Sequence, residues 1–200
     1  MANYVKPDFL CEIVDTQVIR SARLCLRPYR ESDIHGYHHM LSDTKNLYYL
    51  DDITTTTLEE ARQSLSETIE LMKNGSARRF AICLKDKPKI IGGVGYDITA
   101  VTPLGRVGHI GWFILPEHQN HGYITEAAKR ILTYAFEEDN CIRVTTGCYK
   151  ENVPTQKVMA KLGFRKEADK IKAQWHDGVM KDRLEYAINK DEYLNLYRSY

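Results

Sequence analysis

The stretch of the sequence most suggestive of chemistry is QNHGYITEA, residues 119–127, which separates an apolar segment from an amphipathic one. Gln119, Asn120 and His121 offer polar groups without apolar bulk, and Gly122 permits a positive φ or a close backbone approach. If a helix begins at this turn, its first N–H groups have no intrahelical acceptor and carry the positive end of the helix dipole. The pattern is therefore typical of a phosphate-binding turn. A polar surface connection has a similar composition, so both interpretations stay open at this point.

The segments on either side of this turn have the periodicities of regular structure. Apolar residues at spacings of three and four predict a helix from Ile124 to Phe136, the strongest helical pattern in the chain. The segment VGHIGWFIL, residues 107–115, predicts a strand that ends just before the turn. The turn is thus expected where a strand leads into the N-terminus of a helix.

The rest of the chain alternates strand and helix patterns. A short helix is predicted to end at about Leu41, a capping box of Thr57 and Glu60 starts a longer one, and Asn152 is placed to cap another. The tail, residues 191–200, is expected to form a last helical turn or to fray. The predicted strands are residues 20–29, 78–85, 89–98, 107–115, 141–149, 164–175 and 179–188. This order predicts an α+β fold, a mixed sheet covered by helices.

Four stretches, taken in order, resemble the motifs of the GNAT superfamily of N-acetyltransferases, and in particular its ribosomal-protein N-acetyltransferase (RimJ/RimL-type) branch. They are RLCLRPYRESD at 23–33, IGWFILPEHQNHGY at 110–123, Q-x-x-G-x-x-T-E-A at 119–127 and ENVPTQKVMAKLGF at 151–164. The resemblance covers about residues 21–188 and implies one N-acetyltransferase domain over residues 1–200, with N- and C-terminal extensions. It implies a mixed, mostly antiparallel central sheet of about seven strands, flanked by about four helices.

The resemblance also implies an activity. It implies an acyltransferase that uses acetyl-CoA as cosubstrate and moves the acetyl group from the thioester to a primary amine. The closest branch points to a protein N-terminal amine as acceptor. A small-amine, antibiotic or polyamine acetyltransferase is one alternative, and a coenzyme A-binding module without catalysis is another.

The family's cofactor contacts carry over onto matching positions of this chain. By resemblance, residues 119–124 wrap the pyrophosphate, the end of the preceding strand pairs through its backbone with the pantetheine arm, and Asn152 binds nearby. Ile124 departs from the usual Gly or Ala, and its branched side chain would reshape the pocket. The residues assigned to the cofactor in this way are Phe113, Ile114, Leu115, Gln119, Asn120, His121, Gly122, Tyr123, Ile124 and Asn152.

Acetyl transfer to an amine needs a neutral amine, a hydrogen-bond donor for the developing oxyanion and a proton for the leaving thiolate. His109 stands ten residues before Gln119, where family members often carry a glutamate, and this makes it the candidate base. An imidazole, with an ordinary pKa of ~6.5, suits the removal of an amine proton through water. The alternative is a histidine satisfied by hydrogen bonds on a half-buried strand.

The candidate acid is less obvious. Many N-terminal acetyltransferases place a tyrosine seven residues after the asparagine, but that position is Met159 here. The RimL-like pattern N-x-x-S instead reads N-V-P-T and offers the hydroxyl of Thr155, which either donates a hydrogen bond to the thiolate or helps to cap the helix. Tyr149 and Tyr123 are further candidates.

Composition limits the partners. The 28 Lys and Arg residues against 27 Asp and Glu give a net charge of +1 with no basic run, so we predict no nucleic-acid partner. No segment approaches the ~18 apolar residues of a membrane span, and the N-terminus lacks the apolar core of a signal peptide. Five cysteines without a C-x-x-C pair are expected to be free thiols. We therefore expect a soluble, cytoplasmic protein without a membrane partner, and the resemblance allows a homodimer.

Two further motifs do not support a ligand site. The histidines of HGYHH, residues 35–39, have no carboxylate or cysteine partner at ligand spacing, so no metal site is predicted. The segment GGVGYD, residues 92–97, lacks the last glycine of the dinucleotide-binding pattern and no helix follows it, so it predicts a strand with a bulge.

Overall fold

The computed structural model describes residues 18–50 and 53–197. The strands are β1 (Ile19–Arg20), β2 (Leu24–Pro28), β3 (Ala77–Leu84), β4 (Ile90–Thr102), β5 (Gly105–Ile114), β6 (Cys141–Tyr149), β7 (Arg165–His176) and β8 (Val179–Asn189). The helices are α1 (Ile34–Leu41), α2 (Leu58–Lys73), α3 (Tyr123–Thr133), α4 (Val153–Lys161) and α5 (Lys190–Tyr197).

The strands form one sheet in the order β1-β2-β3-β4-β5-β6-β8-β7. All neighbouring pairs are antiparallel except β5 and β6, which run parallel. The predicted mixed, mostly antiparallel α+β architecture is confirmed, with eight strands and five helices in the described part of the chain. The parallel pair requires a crossover connection, and α3 supplies it.

Helices cover both sides of the sheet. Apolar residues of α3, such as Ala127 and Ile131, pack in one core cluster with Ile110 of β5, and α4 and α5 contribute to the same cluster. On the other side Leu65 of α2 and Tyr37 of α1 pack in a second cluster. The periodicity of α2 and α3 accounts for this arrangement, because each helix has one apolar face to bury.

The N-terminal strand differs from its prediction. Residues 20–29 were expected to form one strand, but the chain turns between β1 and β2. The backbone N–H of Ser21 donates to the Leu24 carbonyl at 3.0 Å, and the Leu24 N–H donates to the Ser21 hydroxyl at 3.1 Å. A serine side chain that satisfies backbone groups locally favours such a turn over continued pairing. This turn lies close to the N-terminus of α3, as the site shows.

The end of α3 also differs from a simple helix. The predicted helix reaches Phe136, whereas α3 passes into a π-helical turn at Tyr134–Glu138. Asp139 follows this turn, is buried, and accepts hydrogen bonds from Arg78 at 3.2 Å and from the Tyr96 hydroxyl at 2.7 Å. Arg106 donates to the same carboxylate at 3.2 Å. These bonds fix the crossover onto β3, β4 and β5.

Several other local elements have the predicted structure. Thr57 and Glu60 form the predicted capping box, and the tail folds as α5. Residues 92–97 lie within β4, where the register with β3 shifts at the residue before them. Four cysteines are free thiols in the described residues, namely Cys25, Cys83, Cys141 and Cys148. Cys11, the N-terminal segment and the last three residues of the tail lie outside the described residues.

Candidate active site

The centre of the sheet opens between β5 and β6. Their parallel pairing runs from Arg106 to His109 of β5 and no further among the described residues. One more link follows, in which the Thr146 hydroxyl donates to the Ile110 carbonyl at 2.9 Å. Beyond it β5 remains paired with β4 as far as Ile114, whereas β6 remains paired with β8. We call the resulting opening, between the C-terminal halves of β5 and β6, the central gap.

Backbone groups of β5 that face the central gap can be identified from the strand pairing. The Leu115 N–H donates to the Ile91 carbonyl at 2.9 Å, so these two residues form a hydrogen-bonded pair. Because such pairs alternate along an antiparallel ladder, the backbone of Phe113 also faces β4, while that of Trp112 and Ile114 faces the gap. Of the residues expected to pair with the pantetheine arm, Phe113 and Leu115 thus direct their backbone groups to β4, whereas Ile114 directs its own to the gap, as does Trp112.

Asn46 connects the end of β5 to the polar turn. Its Nδ2 donates to the Ile114 carbonyl at 3.1 Å, and its Oδ1 accepts from Gln119 Nε2 at 2.7 Å. The Gln119 carbonyl in turn accepts from His121 Nδ1 at 2.7 Å. The side chain of Gln119 thus holds the turn in place. No sequence pattern pointed to Asn46, which lies in an irregular segment of the connection between α1 and α2.

The polar turn adopts the conformation that the sequence suggested. Asn120 has φ 60° and Gly122 has φ 76°, and both values fall in the left-handed region. Helix α3 begins at Tyr123 without a side-chain cap, and its first internal hydrogen bond joins the Glu126 N–H to the Gly122 carbonyl. The amides of residues 123–125 therefore have no intrahelical acceptor. This geometry can receive a phosphate group.

Glu126 lies in the first turn of α3 but is directed to the β1–β2 turn. Its carboxylate accepts from the Ser21 hydroxyl at 2.7 Å and from the Arg23 N–H and Nε at 2.8 and 2.7 Å. Burial raises the pKa of Glu126, but these hydrogen bonds outweigh it and the pKa is lowered. Arg23 also donates to the His121 carbonyl at 3.0 Å and lies over the Tyr123 ring. The ion pair therefore secures the turn without taking the free amides.

Helix α4 starts at the same edge of the central gap. It follows β6 as α3 follows β5, and the carboxyl ends of parallel neighbours lie at one edge of a sheet. Asn152 caps it as predicted, because its Oδ1 accepts from the Thr155 N–H at 3.2 Å. The Thr155 hydroxyl has no hydrogen-bond partner within the described residues. Two helix N-termini thus flank the gap.

His109 lies at the last paired position of β5, where the gap begins. Its Nδ1 is 3.0 Å from the Thr145 hydroxyl oxygen, and that hydroxyl donates to the Gly108 carbonyl at 3.2 Å. Since a carbonyl oxygen only accepts, the Thr145 oxygen must accept from Nδ1–H of His109. The hydrogen-bond network therefore assigns the proton to Nδ1 and leaves Nε2 as an acceptor.

The surroundings of His109 favour its neutral form. Desolvation by burial is the largest effect and lowers its pKa from the ordinary value of 6.5; nearby Arg183 lowers it further. Glu185 and Asp97 raise the pKa but do not reverse the shift. The residue is nonetheless exposed overall, and in its neutral form, with the proton on Nδ1, its Nε2 is an acceptor.

An aromatic cluster closes one side of this region. The rings of Tyr48 and His176 lie 4.6 Å apart, those of His176 and Tyr149 lie 4.7 Å apart, and Tyr49 packs on Tyr149 at 5.9 Å. The cluster joins the connection between α1 and α2 to β6 and to the tip of the β7–β8 hairpin. Through Tyr149 it lies at the end of β6, the strand that borders the gap.

Comparison with known proteins places this geometry in a family. The family model of the acetyltransferase (GNAT) domain matches residues 23–165. The chain belongs to the GNAT acetyltransferase family. The uncharacterised N-acetyltransferase YnaD of Bacillus subtilis is 31% identical over 176 residues, which cover 88% of this chain and 98% of that protein. This acetyltransferase therefore matches a curated relative over nearly its whole length.

Solved structures agree on the fold of this acetyltransferase. RimL, a ribosomal L7/L12 alpha-N-protein acetyltransferase solved with coenzyme A, is 22% identical, with a TM-score of 0.78 over 88% of this chain and 99% of that one. Spermidine N-acetyltransferase from Vibrio cholerae, solved with coenzyme A and spermine, is 21% identical, with a TM-score of 0.76 over 88% of this chain and 100% of that one. At these identities the likeness establishes the fold.

The described residues contain neither a metal-ligand cluster nor a membrane-spanning helix. No group of three or more His, Cys, Asp or Glu side chains in residues 18–50 and 53–197 is arranged to hold a metal ion. In the same part of the acetyltransferase, no helix is both long and apolar enough to cross a bilayer.

Proposed function

We propose that this acetyltransferase transfers the acetyl group of acetyl-CoA to a primary amine, and that the acceptor is a protein N-terminal amine. The observation that carries the proposal is the central gap with two helix N-termini at its edge. The gap offers strand backbone without a strand partner, and the turn at Gly122 offers amides without an acceptor. This combination fits an extended amide-containing chain that ends in a diphosphate.

The cofactor contacts follow from that fit. The unpaired amides at the start of α3, within residues 119–124, would bind the pyrophosphate, which the helix dipole favours. The gap-facing backbone of Trp112 and Ile114 would pair with the amide groups of the pantetheine arm. Asn152 uses its Oδ1 to accept the cap hydrogen bond of α4, and its amide nitrogen is the donor that it offers the cofactor. Acetyl-CoA supplies the activated thioester when it is bound.

The remaining chemistry falls to side chains beside the gap. In this proposal His109 acts as the general base, with Nε2 accepting a proton from the arriving ammonium directly or through one water; its hydrogen bond from Nδ1 to Thr145 and its lowered pKa support that role. Thr155, at the start of α4, donates a hydrogen bond to the departing sulfur, which takes its proton from solvent. Amides that face the gap stabilise the carbonyl oxygen as it gains negative charge. Alignment of the two substrates contributes the rest.

The N-terminal acceptor is favoured by the relatives. The structural neighbour RimL is described as an alpha-N-protein acetyltransferase, and a curated relative from Escherichia coli is named a ribosomal-protein-serine acetyltransferase. A second candidate acceptor is a polyamine, because another neighbour of similar TM-score was solved with spermine. A third possibility is coenzyme A binding without transfer.

A thiol-release assay with purified protein and acetyl-CoA tests the proposal. The acceptors are a hexapeptide with a free N-terminal serine, the same peptide with a blocked N-terminus, and spermidine. We expect release with the free peptide and only background with the blocked one. Turnover with spermidine alone would support the polyamine alternative, and calorimetric binding of coenzyme A with no turnover would support the binding module.

A further inference from the structure

Two charged side chains of β8 cross over β6 beside the central gap. Opposite positions in the β6–β8 pairing are Gly147 with Glu185 and Tyr149 with Arg183, so these side chains lie on one side of the sheet. A Cβ built on Gly147 would lie 2.8 Å from Arg183 Nη2 and 2.8 Å from Glu185 Oε2. The absence of a side chain at Gly147 therefore allows a donor and an acceptor to meet over the backbone of β6.

This pair lies on the same side of the sheet as the proposed base. Thr145, two residues before Gly147, carries the hydrogen bond to His109, and both Arg183 and Glu185 act on the pKa of that histidine. A Cβ built on Gly111, two residues after His109 on β5, would meet no atom within 4 Å. The surface of β5 next to His109 is therefore open at Gly111, where an acceptor could lie.

Arg183 is held in place but keeps one free edge. Its Nη1 donates to Gln174 Oε1, and its guanidinium lies 5.5 Å from the centre of the Tyr149 ring. Its Nε lies 3.7 Å from Glu185 Oε1, a distance that makes an ion pair without a hydrogen bond. Among the described residues, no acceptor bonds to Nη2. A guanidinium fixed in this way presents a donor at low entropic cost.

Glu185 is similarly only half engaged. Its Oε1 accepts from Lys170 Nζ at 3.4 Å, and no donor among the described residues bonds to Oε2. The open positions of the pair are thus one carboxylate oxygen and one guanidinium nitrogen, side by side over Gly147. An ammonium group and a carbonyl oxygen on neighbouring carbons would satisfy both.

We infer that Arg183 and Glu185 recognise the acceptor as an α-amino group, and that Arg183 is the residue that sets this specificity. Glu185 holds the ammonium, Arg183 donates to the carbonyl on the adjacent carbon, and His109 takes the proton before the nitrogen attacks. The inference rests on the proposed function and deepens it. Free α-amino acid derivatives and peptide N-termini share this chemistry.

The same pair disfavours polyamines. A polyamine has no carbonyl to accept from Arg183, and its second ammonium would approach that guanidinium as a like charge. The neighbouring carboxylate of Asp97 is already paired with Arg79 through two hydrogen bonds, of 2.9 and 2.8 Å. The acidic groups near His109 are therefore matched by arginines, whereas a polycation needs an excess of acidic groups.

Two small amines that differ in the carbonyl provide the test. L-Alaninamide and isopropylamine carry the same amine on the same carbon skeleton, except that only the first has a carboxamide. We would measure kcat and KM for both, and for spermidine, in the wild type, Arg183→Gln and Lys170→Gln. Lys170→Gln is the matched control, because it removes one positive charge beside the other oxygen of Glu185. Comparing variants on the same amines cancels the difference in amine basicity.

We expect Arg183→Gln to lower the preference for alaninamide over isopropylamine roughly tenfold, mainly through KM, since it removes a hydrogen bond from a charged donor. Spermidine should gain relative to alaninamide. Lys170→Gln should leave the preference within about twofold. An unchanged preference in Arg183→Gln, or an equal loss in Lys170→Gln, overturns the inference. Glu185→Gln is a second variant, expected to weaken both amines alike.

Binding without turnover separates this inference from the proposed function. NMR titration with alaninamide in the presence of coenzyme A reports acceptor binding directly. Saturable binding that Arg183→Gln weakens, with no transfer to any amine, supports the inference and overturns the function. Transfer with a preference that does not depend on Arg183 supports the function and overturns the inference. If the protein shows no binding and no transfer, both are overturned. A peptide with N-terminal alanine, compared with alaninamide, shows which of the two sources is preferred.

Discussion

The Nδ1 atom of His109 lies 3.0 Å from the Thr145 hydroxyl oxygen, across the last paired position of β5 and β6. Because that hydroxyl donates to Gly108, the imidazole is held in one tautomer. Thr145 is therefore a positioning residue for the proposed base. Thr145 on β6 and His109 on β5 are brought together by the parallel pairing that the crossover through α3 produces.

Replacing Thr145 by valine should release the imidazole from that tautomer. We expect kcat to fall about tenfold, because part of the population would carry its proton on Nε2 and could not act as a base. Thr145→Ser keeps the hydroxyl and should retain most of the activity. The ¹⁵N chemical shifts of the ring nitrogens report the tautomer directly. Unaltered shifts in the valine variant would contradict the assignment.

The pKa of His109 should lie below 6.5 when it is titrated by NMR. Glu185→Gln removes a group that raises this pKa and should lower it further, whereas Arg183→Gln removes a group that lowers it and should raise it. His109→Gln should reduce turnover roughly a hundredfold or more if the imidazole is the base. The exposed His39 provides the control, since His39→Gln should leave turnover unchanged.

Gly122→Ala tests the phosphate-binding turn. Gly122 has φ 76° and Gly178, at the tip of the β7–β8 hairpin, has φ 80°, so alanine should cost each position about 1 kcal/mol of stability. Only Gly122→Ala should weaken coenzyme A binding, by about tenfold, since its methyl group would occupy the anion's approach to the α3 amides. Calorimetry on both variants checks this. Equal affinities would show that the turn does not bind the cofactor.

Glu126 should contribute stability that depends on pH. Its pKa is lowered in the folded state, so the contribution is complete above the ordinary value of 4.5 and disappears as the pH falls through the folded value. Glu126→Gln should therefore be less stable than the wild type by about 1 kcal/mol near neutrality, and the two urea-unfolding curves should converge as the pH falls below 4.5. A constant difference across this range would contradict the role of the ion pair with Arg23.

Asp139→Asn should be strongly destabilising. The carboxylate is buried and is shared by Arg78 and Arg106, so a neutral amide leaves the buried Arg78 guanidinium without a counter-charge. We expect a loss of about 3 kcal/mol in the free energy of unfolding. Asp169→Asn, which breaks the more exposed pair with Lys150, should cost less than about 1 kcal/mol. Similar losses in both variants would refute this account.

Local patterns predicted most of the elements around the site. The glycine turn, the amphipathic helix after it and the Asn152 cap depend on residues near one another in sequence, and all three are present. The β1–β2 turn was missed, because the serine that closes it competes with an alternating pattern that also fits a continuous strand.

Contacts between distant segments could not be predicted in the same way. Asn46 meets Gln119 because the connection between α1 and α2 folds over the end of β5, and no periodicity records that contact. Whether the backbone of Trp112 or of Phe113 faces the gap depends on the pairing phase with β4, which a single strand does not reveal. Arg183 and Glu185 become neighbours of Gly147 only through the strand order β6-β8-β7.

The early separation of β5 from β6 has a mechanical consequence. The two halves of the sheet are joined only by the short pairing of β5 with β6 near the middle of its strand order, as far as the described residues show. A bound pantetheine chain would bridge the opening and add hydrogen bonds to the unpaired backbone of β5. Occupancy should therefore slow amide hydrogen exchange in the second half of β5 and couple the rigidity of the scaffold to the presence of its thioester.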